Sequence, residues 1–218
     1  MTSVVVVSAG LSVPSSTRLL ADKIGAAVEQ AVTARGQEVD VQHVELRPLA
    51  HALADHLLTG FPAGELARAV EAVRHADALV VVTPVFSASY SGLFKTFFDV
   101  LEPGTLDGKP VVVAATAGTA RHSLVLDHAL RPLFAYLRAV VVPTGVFAAS
   151  EDFGVSTDAA SGELALDKRV QRAAGELAAL LGAGSAPAPA PRRSADDELA
   201  APTPFEQLLR EAGGDSVR

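Results

Sequence analysis

Cysteine and tryptophan are absent from this chain of 218 residues, and methionine occurs once. Without cysteine the protein can form no disulfide, thiolate metal site or iron–sulfur cluster, and it has no cysteine nucleophile. No stretch of about 18 uncharged apolar residues could span a membrane. The first residues, Met1 to Val7, lack the basic flank and the apolar length of a signal peptide. We therefore expect a soluble, cytoplasmic protein.

Positive charge is also scarce, since 18 Lys and Arg residues face 25 Asp and Glu residues and the net charge is −7. A surface that follows nucleic-acid phosphates needs clustered Lys and Arg, so this balance disfavours a nucleic-acid partner. Apolar residues make up 49% of the chain and charged residues 20%, which permits a packed core and excludes global disorder. Small anionic ligands are held locally and remain compatible with this charge.

The chain divides into a globular body, residues 1–182, and a C-terminal extension, residues 183–218. At roughly 150 residues per domain, the length suits one domain with an appendage. The extension begins with an Ala/Pro-rich linker, and Thr203–Gly213 then has the N-cap, early proline and terminal glycine of a short helix. Two interpretations stay open: a disordered extension, or a helix that docks on a neighbouring subunit or a partner protein.

Five short segments of the body have the nearly continuous, β-branched apolar character of strands covered on both faces of a sheet. They are Val4–Ser8, Val39–Val44, Ala78–Thr83, Val111–Ala115 and Val140–Phe147. Five segments with helical apolar spacing lie between and after them: Thr17–Thr33, Gly64–His75, Gly92–Leu101, Leu124–Leu137 and Leu166–Leu181. This alternation predicts an α/β fold with a doubly wound, five-stranded parallel sheet in the order 2-1-3-4-5. In such a sheet, ligands bind at the carboxyl ends of strands 1 and 3.

The loop after predicted strand 1 runs into a predicted helix and is rich in hydroxyl groups. Ser12, Ser15, Ser16 and Thr17 add donors to the free N–H groups of a helix N-terminus, which favours a single terminal phosphate. An ordinary serine-capped helix is the alternative interpretation. The G-x-G-x-x-G dinucleotide motif is absent, and Gly104–Pro110 lacks the spacing of a nucleotide-binding loop, so we interpret it as a turn.

The loops after predicted strands 3 and 4, Thr83–Gly92 and Thr116–His122, consist mostly of small and polar residues. Small side chains let a flat ring approach the backbone, whose N–H and C=O groups can bind the ring edge. Phe86 and Tyr90 could form apolar walls, although core packing is a fair alternative for Phe86. Three loops of this kind at one end of a sheet predict a ligand site.

The segment Thr83–Gly92, followed by Lys95 and Asp99, resembles the signature of the NAD(P)H-dependent FMN reductases, which have the flavodoxin-like fold. The similarity continues through Leu106–Lys109, Ala115–Thr119, Leu126–Pro132 and Gly145–Phe147. It covers residues 1 to roughly 150 well. The chain is most similar to the branch that supplies reduced flavin to two-component monooxygenases, including sulfonate-linked reductases and those with luciferase-like partners.

The resemblance implies roles for particular positions. Those that would hold the FMN phosphate are Gly10, Ser12, Ser15, Ser16 and Thr17. Those that would line the isoalloxazine are Pro84, Val85, Phe86 and Ser87. Those that would meet its pyrimidine side are Ala117, Gly118 and Thr119. Many relatives have G-S-x-R where this chain has Gly10–Val13, so a phosphate-facing arginine is missing there, which implies loosely held flavin. Relatives in the sulfonate-linked branch can also carry Tyr at the position of His128.

The implied reaction is hydride transfer from NADPH or NADH to FMN, followed by delivery of the reduced flavin to a partner monooxygenase. The cofactor supplies the chemistry, so we expect no catalytic side chain and no metal site. Family resemblance also implies a homodimer or homotetramer with the predicted Gly92–Leu101 helix at a subunit interface. Within that helix, Lys95 and Asp99 have the spacing of an intrahelical ion pair.

Two other functions on the same fold stay open. One is a quinone or azo-dye reductase that keeps FMN bound during turnover. The other is a non-enzymatic electron carrier like flavodoxin, which typically flanks its flavin with large aromatic residues. The absence of Trp and the presence of only 2 Tyr favour the enzymes.

Overall fold

The computed structural model of the protein describes residues 1–153 and 159–182. Both the Ala/Pro-rich linker and the predicted Thr203–Gly213 helix lie outside the described residues, so the division of the chain at residue 182 stays a prediction. Among the helices of the described part, none is both long and apolar enough to cross a membrane.

The described body is a parallel sheet with helices on both faces. Its strands are β1 (Thr2–Ser8), β2 (Val39–Glu45), β3 (Ala78–Phe86), β4 (Ser89–Tyr90), β5 (Pro110–Ala117), β6 (Val140–Val141) and β7 (Val146–Ala149). Its helices are α1 (Ser16–Thr33), α2 (Ala50–Thr59), α3 (Gly64–His75), α4 (Gly92–Asp99), α5 (Arg131–Tyr136) and α6 (Ala159–Gly182). The strand order β2-β1-β3-β5-β6 confirms the predicted doubly wound topology. The short β4 adds an antiparallel pairing to β3, which the sequence did not predict.

The consecutive valines of β1, β3 and β5 are buried because helices cover both faces of these strands. Val5, Val7 and the alternate residues of β3 and β5 pack with α2, α3, α4 and α5. Val4, Val6 and the other alternate residues pack with α1 and α6. Strands with both faces covered can lack polar alternation, which is why their apolar runs identified them in the sequence.

The predicted fifth strand, Val140–Phe147, is wrong as a single segment. It forms two short strands, β6 and β7, and both pair in parallel with β5. Between them, Pro143 has no backbone N–H to donate to the ladder, so pairing stops there. The side chain of Glu176 on α6 stabilises the segment between β6 and β7. Its two carboxylate oxygens accept hydrogen bonds from the N–H and the hydroxyl of Thr144, each at 2.7 Å.

Two helical regions differ from the sequence-based prediction. Helix α2 was not predicted: only Leu53 and His56 of its ten residues are buried, so the segment has no clear apolar stripe. The predicted Leu124–Leu137 helix is a π-helical segment, Leu126–Leu130, followed by α5. Pro132 lies in the first turn of α5, where its missing N–H does least harm.

The glycine-rich segment Gly104–Pro110 is a turn, as interpreted from the sequence. Gly104 and Gly108 have positive φ angles of 88° and 71°, which glycine adopts readily. The Lys109 ammonium donates to the carbonyls of Val73 and Arg74, at 2.7 and 2.9 Å, at the end of α3. Burial lowers the pKa of Lys109 to about 8, and the nearby Asp77 opposes this shift. The lysine therefore caps a helix C-terminus.

We predict that Glu176→Ala lowers the free energy of unfolding by about 2 kcal/mol, because Thr144 loses both of its charged acceptors. Urea denaturation measures the change. Glu65→Ala removes an exposed carboxylate of α3 that contacts Arg68 at 3.5 Å and should cost less than about 0.5 kcal/mol. Equal losses in the two variants would contradict this role of Glu176.

Candidate functional site

The carboxyl ends of the central strands lie side by side at one edge of the sheet. Ser8 of β1 is opposite Val82 of β3, and Pro84 of β3 is opposite Thr116 of β5. Ala117 of β5 is opposite Ala149 of β7. All three predicted loops leave this edge, so the structure brings the phosphate-loop candidates, the β3 candidates and the β5 candidates to one end of the sheet, as predicted.

The first loop ends in a capped helix. Ser15 is the N-cap of α1, and its hydroxyl oxygen accepts a hydrogen bond from the Arg18 N–H at 3.2 Å. A Cβ atom on Gly10 would lie 2.1 Å from the Ser15 hydroxyl oxygen and 3.2 Å from the Cβ atoms of Ser15 and Thr17, so a larger residue would displace the Ser15 side chain. Ser12 and Ser16 are exposed. We call the segment Gly10–Thr17 the cradle. The N–H groups of Ser16 and Thr17, in the first turn of α1, lack acceptors within the helix.

Thr17 differs from the other hydroxyl residues of the loop because it is buried. Its hydroxyl oxygen lies 2.8 Å from that of Thr116, and either hydroxyl can donate. Both residues are 3% exposed. The contact joins the first turn of α1 to the end of β5. The Thr17 side chain therefore fixes the position of the loop, while Ser12, Ser15 and Ser16 remain available to a ligand.

The second candidate segment is less of a loop than the sequence predicted, because Pro84, Val85 and Phe86 belong to β3. They continue into a hairpin with β4, in which Ser87 and Ala88 form the turn. Both turn residues have positive φ angles, 49° and 66°, as a type I′ turn requires. Neither is glycine, so each conformation costs about 1 kcal/mol or more.

A buried hydroxyl fastens the base of this hairpin. Thr83 accepts a hydrogen bond from the Ser91 N–H at 3.0 Å and donates one to the Pro84 carbonyl at 2.9 Å. Ser91 in turn caps α4. Phe86 is 47% exposed at the site edge, so it is not a core residue. Tyr90 instead packs on the core, with its ring centroid 5.9 Å from that of Phe94.

The third segment begins at the end of β5. Ala117 is the last residue of that strand, and Gly118 and Thr119 are exposed and lead into a single 3₁₀ turn, Ala120–His122. A Cβ on Gly118 would have open space around it. His128 lies farther along the chain, exposed in the π-helical segment. Backbone and small side chains thus dominate this part of the site edge.

Ion pairs account for several charged residues near these elements. The predicted pair of Lys95 and Asp99 is present on α4. Asp127 contacts the Arg131 guanidinium at 2.9 Å, which occupies its carboxylate. Within residues 1–153 and 159–182, no group of three or more His, Asp or Glu side chains could hold a metal ion.

An ionic cluster that was not predicted from the sequence lies beside the first loop. The Arg18 guanidinium contacts Glu45 and also Asp22, the latter at 2.7 Å. The Nδ1 atom of His43 lies 3.3 Å from the Asp22 carboxylate. Burial lowers the pKa of His43 below its ordinary value, and Asp22 opposes the shift. The spacing of Arg18 and Asp22 on α1 predicts their pairing, whereas Glu45 comes from β2.

A doubly wound sheet with a helix N-terminus and small-residue loops at its carboxyl edge defines a mononucleotide-binding α/β protein. The model of the family described as NADPH-dependent FMN reductase matches residues 2–154. The NADH-dependent FMN reductase SfnF of Pseudomonas putida is 42% identical over 150 residues, which are 69% of this chain and 78% of SfnF. The chain therefore belongs to the NADPH-dependent FMN reductase family.

Solved structures agree with this assignment. An oxidoreductase from Corynebacterium diphtheriae is 54% identical, with a TM-score of 0.79 over 85% of this chain and 99% of that one. The apo form of the NADH:FMN oxidoreductase EmoB is 32% identical, with a TM-score of 0.65 over 80% of this chain and 89% of EmoB. The predicted family, the flavodoxin-like fold, the oxidoreductase class and the use of FMN with a reduced nicotinamide donor are confirmed. The individual flavin-contacting residues stay predictions.

We predict that Thr17→Val and Thr116→Val each lower the free energy of unfolding by about 1–2 kcal/mol, because each leaves a buried hydroxyl unpaired. The double variant should cost clearly less than the sum of the two, since it removes both hydroxyls together. Chemical denaturation of the four proteins measures the coupling. Additive losses would show that the hydroxyls do not interact.

We also predict that Ala88→Gly stabilises the protein by roughly 0.5–1 kcal/mol, because glycine adopts the positive φ of the turn without strain. Thermal unfolding gives the sign. Ala26→Gly, at an exposed position within α1, should destabilise by about 1 kcal/mol. A loss of stability in Ala88→Gly would mean that the hairpin does not adopt this turn.

Proposed function

We propose that this protein is an FMN reductase that uses FMN as an exchanging substrate and hands the reduced flavin to a flavin-dependent monooxygenase. Reduced nicotinamide, NADPH or NADH, is the hydride donor. The observation that carries the proposal is the cradle at the start of α1, where the backbone of Gly10 approaches the Ser15 side chain so closely that a Cβ would lie 2.1 Å from its hydroxyl oxygen. This cradle stands at the sheet edge where mononucleotides bind in doubly wound folds.

Gly10 and the hydroxyl residues Ser12, Ser15 and Ser16 would hold the FMN phosphate. The first amides of α1 and the positive end of the helix dipole favour an anion there without a cationic side chain. Thr17 would contribute its backbone N–H, because its hydroxyl contacts Thr116. The donor set suits a terminal phosphate, so the residues present fit the cofactor.

The flavin ring would lie along the ends of β3 and β5. Its walls would come from Pro84, Val85, Phe86 and Ser87 on one side and from Ala117, Gly118 and Thr119 on the other. When bound, the flavin accepts hydride from the nicotinamide, and the protein contributes positioning and electrostatics. Backbone N–H groups near the ring edge would stabilise the negative charge that develops on reduction. Phe86, half exposed, would limit access of water to one edge of the ring.

Exposed apolar side chains in or next to the candidate loops along the chain support an exchanging flavin. Leu11 and Val13 in the first loop are 46% and 81% exposed, and Leu124 is 62% exposed. These residues can contact a planar ligand or a partner protein without first unpacking the core. We further propose a cytoplasmic homodimer or homotetramer. Tyr136, the last residue of α5, is 85% exposed, and such an assembly could bury its side chain.

The first test follows NADH and NADPH oxidation without oxygen while FMN is added. We predict a nearly colourless purified protein whose activity saturates at FMN concentrations on the order of micromolar. Gly10→Ala should raise the FMN concentration that gives half-maximal activity by roughly tenfold or more. The reason is that the added Cβ would displace the Ser15 side chain. Gly175→Ala is the matched control, since its Cβ would meet nothing within 4 Å.

Two other outcomes would contradict the proposal. A yellow protein that reduces quinones or azo dyes without response to added FMN is a flavin-retaining reductase. A yellow protein that oxidises neither nucleotide is an electron carrier. Unchanged FMN saturation in a folded Gly10→Ala protein would remove the cradle from the binding site.

A further inference from the structure

Arg18 is the basic residue nearest to the proposed phosphate cradle in sequence. It lies in the first turn of α1, three residues after the N-cap, and its backbone N–H already donates to Ser15. A guanidinium at this position could reach an anion at the helix N-terminus and bind it with two parallel hydrogen bonds. In the structure it makes other contacts.

Two carboxylates hold the Arg18 side chain. The Nε atom donates to Asp22, one turn farther along α1, at 2.7 Å, and an Nη atom donates to Glu45. The Arg18 side chain is 35% exposed, against 50% for Glu45, so solvent screens the pair only in part. Asp22 is a local partner on the same helix, whereas Glu45 fixes the guanidinium against a different element of the fold.

Glu45 is placed beside the cradle by the sheet. It is the last residue of β2, and the register pairs it with Ser8, the last residue of β1. The first loop begins at the next residue, Ala9. The Glu45 carboxylate therefore stands at the same sheet edge as the proposed phosphate position, on the β2 side, and draws Arg18 toward that side.

The charge of this cluster opposes an anionic ligand. Arg18 contributes one positive charge, while Asp22 and Glu45 contribute two negative charges. His43, which also contacts Asp22, is mostly neutral near pH 7 because its pKa lies below the ordinary value. The cluster is thus net negative, although a phosphate monoester carries between one and two negative charges at this pH.

We propose that Glu45 is a positioning residue that keeps FMN affinity low by holding Arg18 away from the FMN phosphate. This inference rests on the proposed function, in which FMN must leave after reduction. Glu45 thereby favours exchange of the flavin over its retention. Because Glu45 acts through the phosphate, it discriminates between FMN and riboflavin, which has the same ring and no phosphate.

The test compares dissociation constants for FMN and riboflavin, measured by quenching of flavin fluorescence. Glu45→Gln removes the charge while it preserves the shape of the side chain. We expect FMN to bind about three- to fivefold more tightly, a size typical of a partly exposed ion pair, and riboflavin to bind with unchanged affinity. The dissociation rate of FMN, measured by stopped flow, should fall by a similar factor.

Two further variants complete the design. In an Arg18→Gln background, Glu45→Gln should give less than half of the FMN gain, because no guanidinium is left to release. Glu71→Gln removes an exposed carboxylate that pairs with Arg74 on α3, and FMN affinity should stay as in the wild type. Circular dichroism confirms that each variant is folded.

The outcomes separate the inference from the function on which it rests. Unchanged or weaker FMN binding in Glu45→Gln overturns the inference alone. Equal tightening of FMN and riboflavin overturns it as well, since the effect would not involve the phosphate. A full FMN gain without Arg18 rules out the positioning role. A wild-type protein that binds neither flavin overturns both the inference and the proposed function.

Discussion

Parallel pairing of β1, β3 and β5, with both faces of each strand buried, is the constraint on which the rest of the structure depends. The register of these strands brings Ser8, Thr83 and Thr116 to one edge of the sheet. The buried valines that precede these residues in sequence stabilise that register. A slip by one residue would move every side chain of a strand to the opposite face of the sheet. Every candidate flavin contact then comes from backbone that leaves this one edge.

Buried hydrogen bonds fix the shape of this edge. The paired hydroxyls of Thr17 and Thr116 join the helix that follows β1 to β5, and Thr83 joins the hairpin to the start of α4. Apart from Thr17, the residues that would meet the flavin are partly or fully exposed. A rigid base with an exposed rim suits a ligand that must enter and leave at every turnover. The net negative cluster around Arg18 acts in the same direction, because it weakens the attraction for a phosphate.

Much of the architecture could be read from local patterns. The buried strands and the helices α1, α3 and α4 follow from apolar runs and spacing, and the family follows from Thr83–Gly92 with Lys95 and Asp99. The sequence-based prediction was wrong or incomplete where the apolar pattern was weak or interrupted. Pro143 divides one apolar segment into β6 and β7, and α2 buries too few residues to show a stripe. The turn at Ser87 and Ala88 was not predicted, because its positive φ angles occur without glycine.

The sequence by itself therefore determined the fold class, the flavin reductase family and the loops that carry the candidate site, because each depends on residues close together along the chain. Only the tertiary structure decided that Thr17 is committed to Thr116, that Gly10 closes on Ser15, and that Glu45 holds Arg18. The Thr17 and Arg18 contacts join residues 99 and 27 positions apart. Even Gly10 and Ser15, which are near neighbours in sequence, meet only through the folded path of the loop. Such contacts depend on how strands and helices pack, which no local pattern encodes.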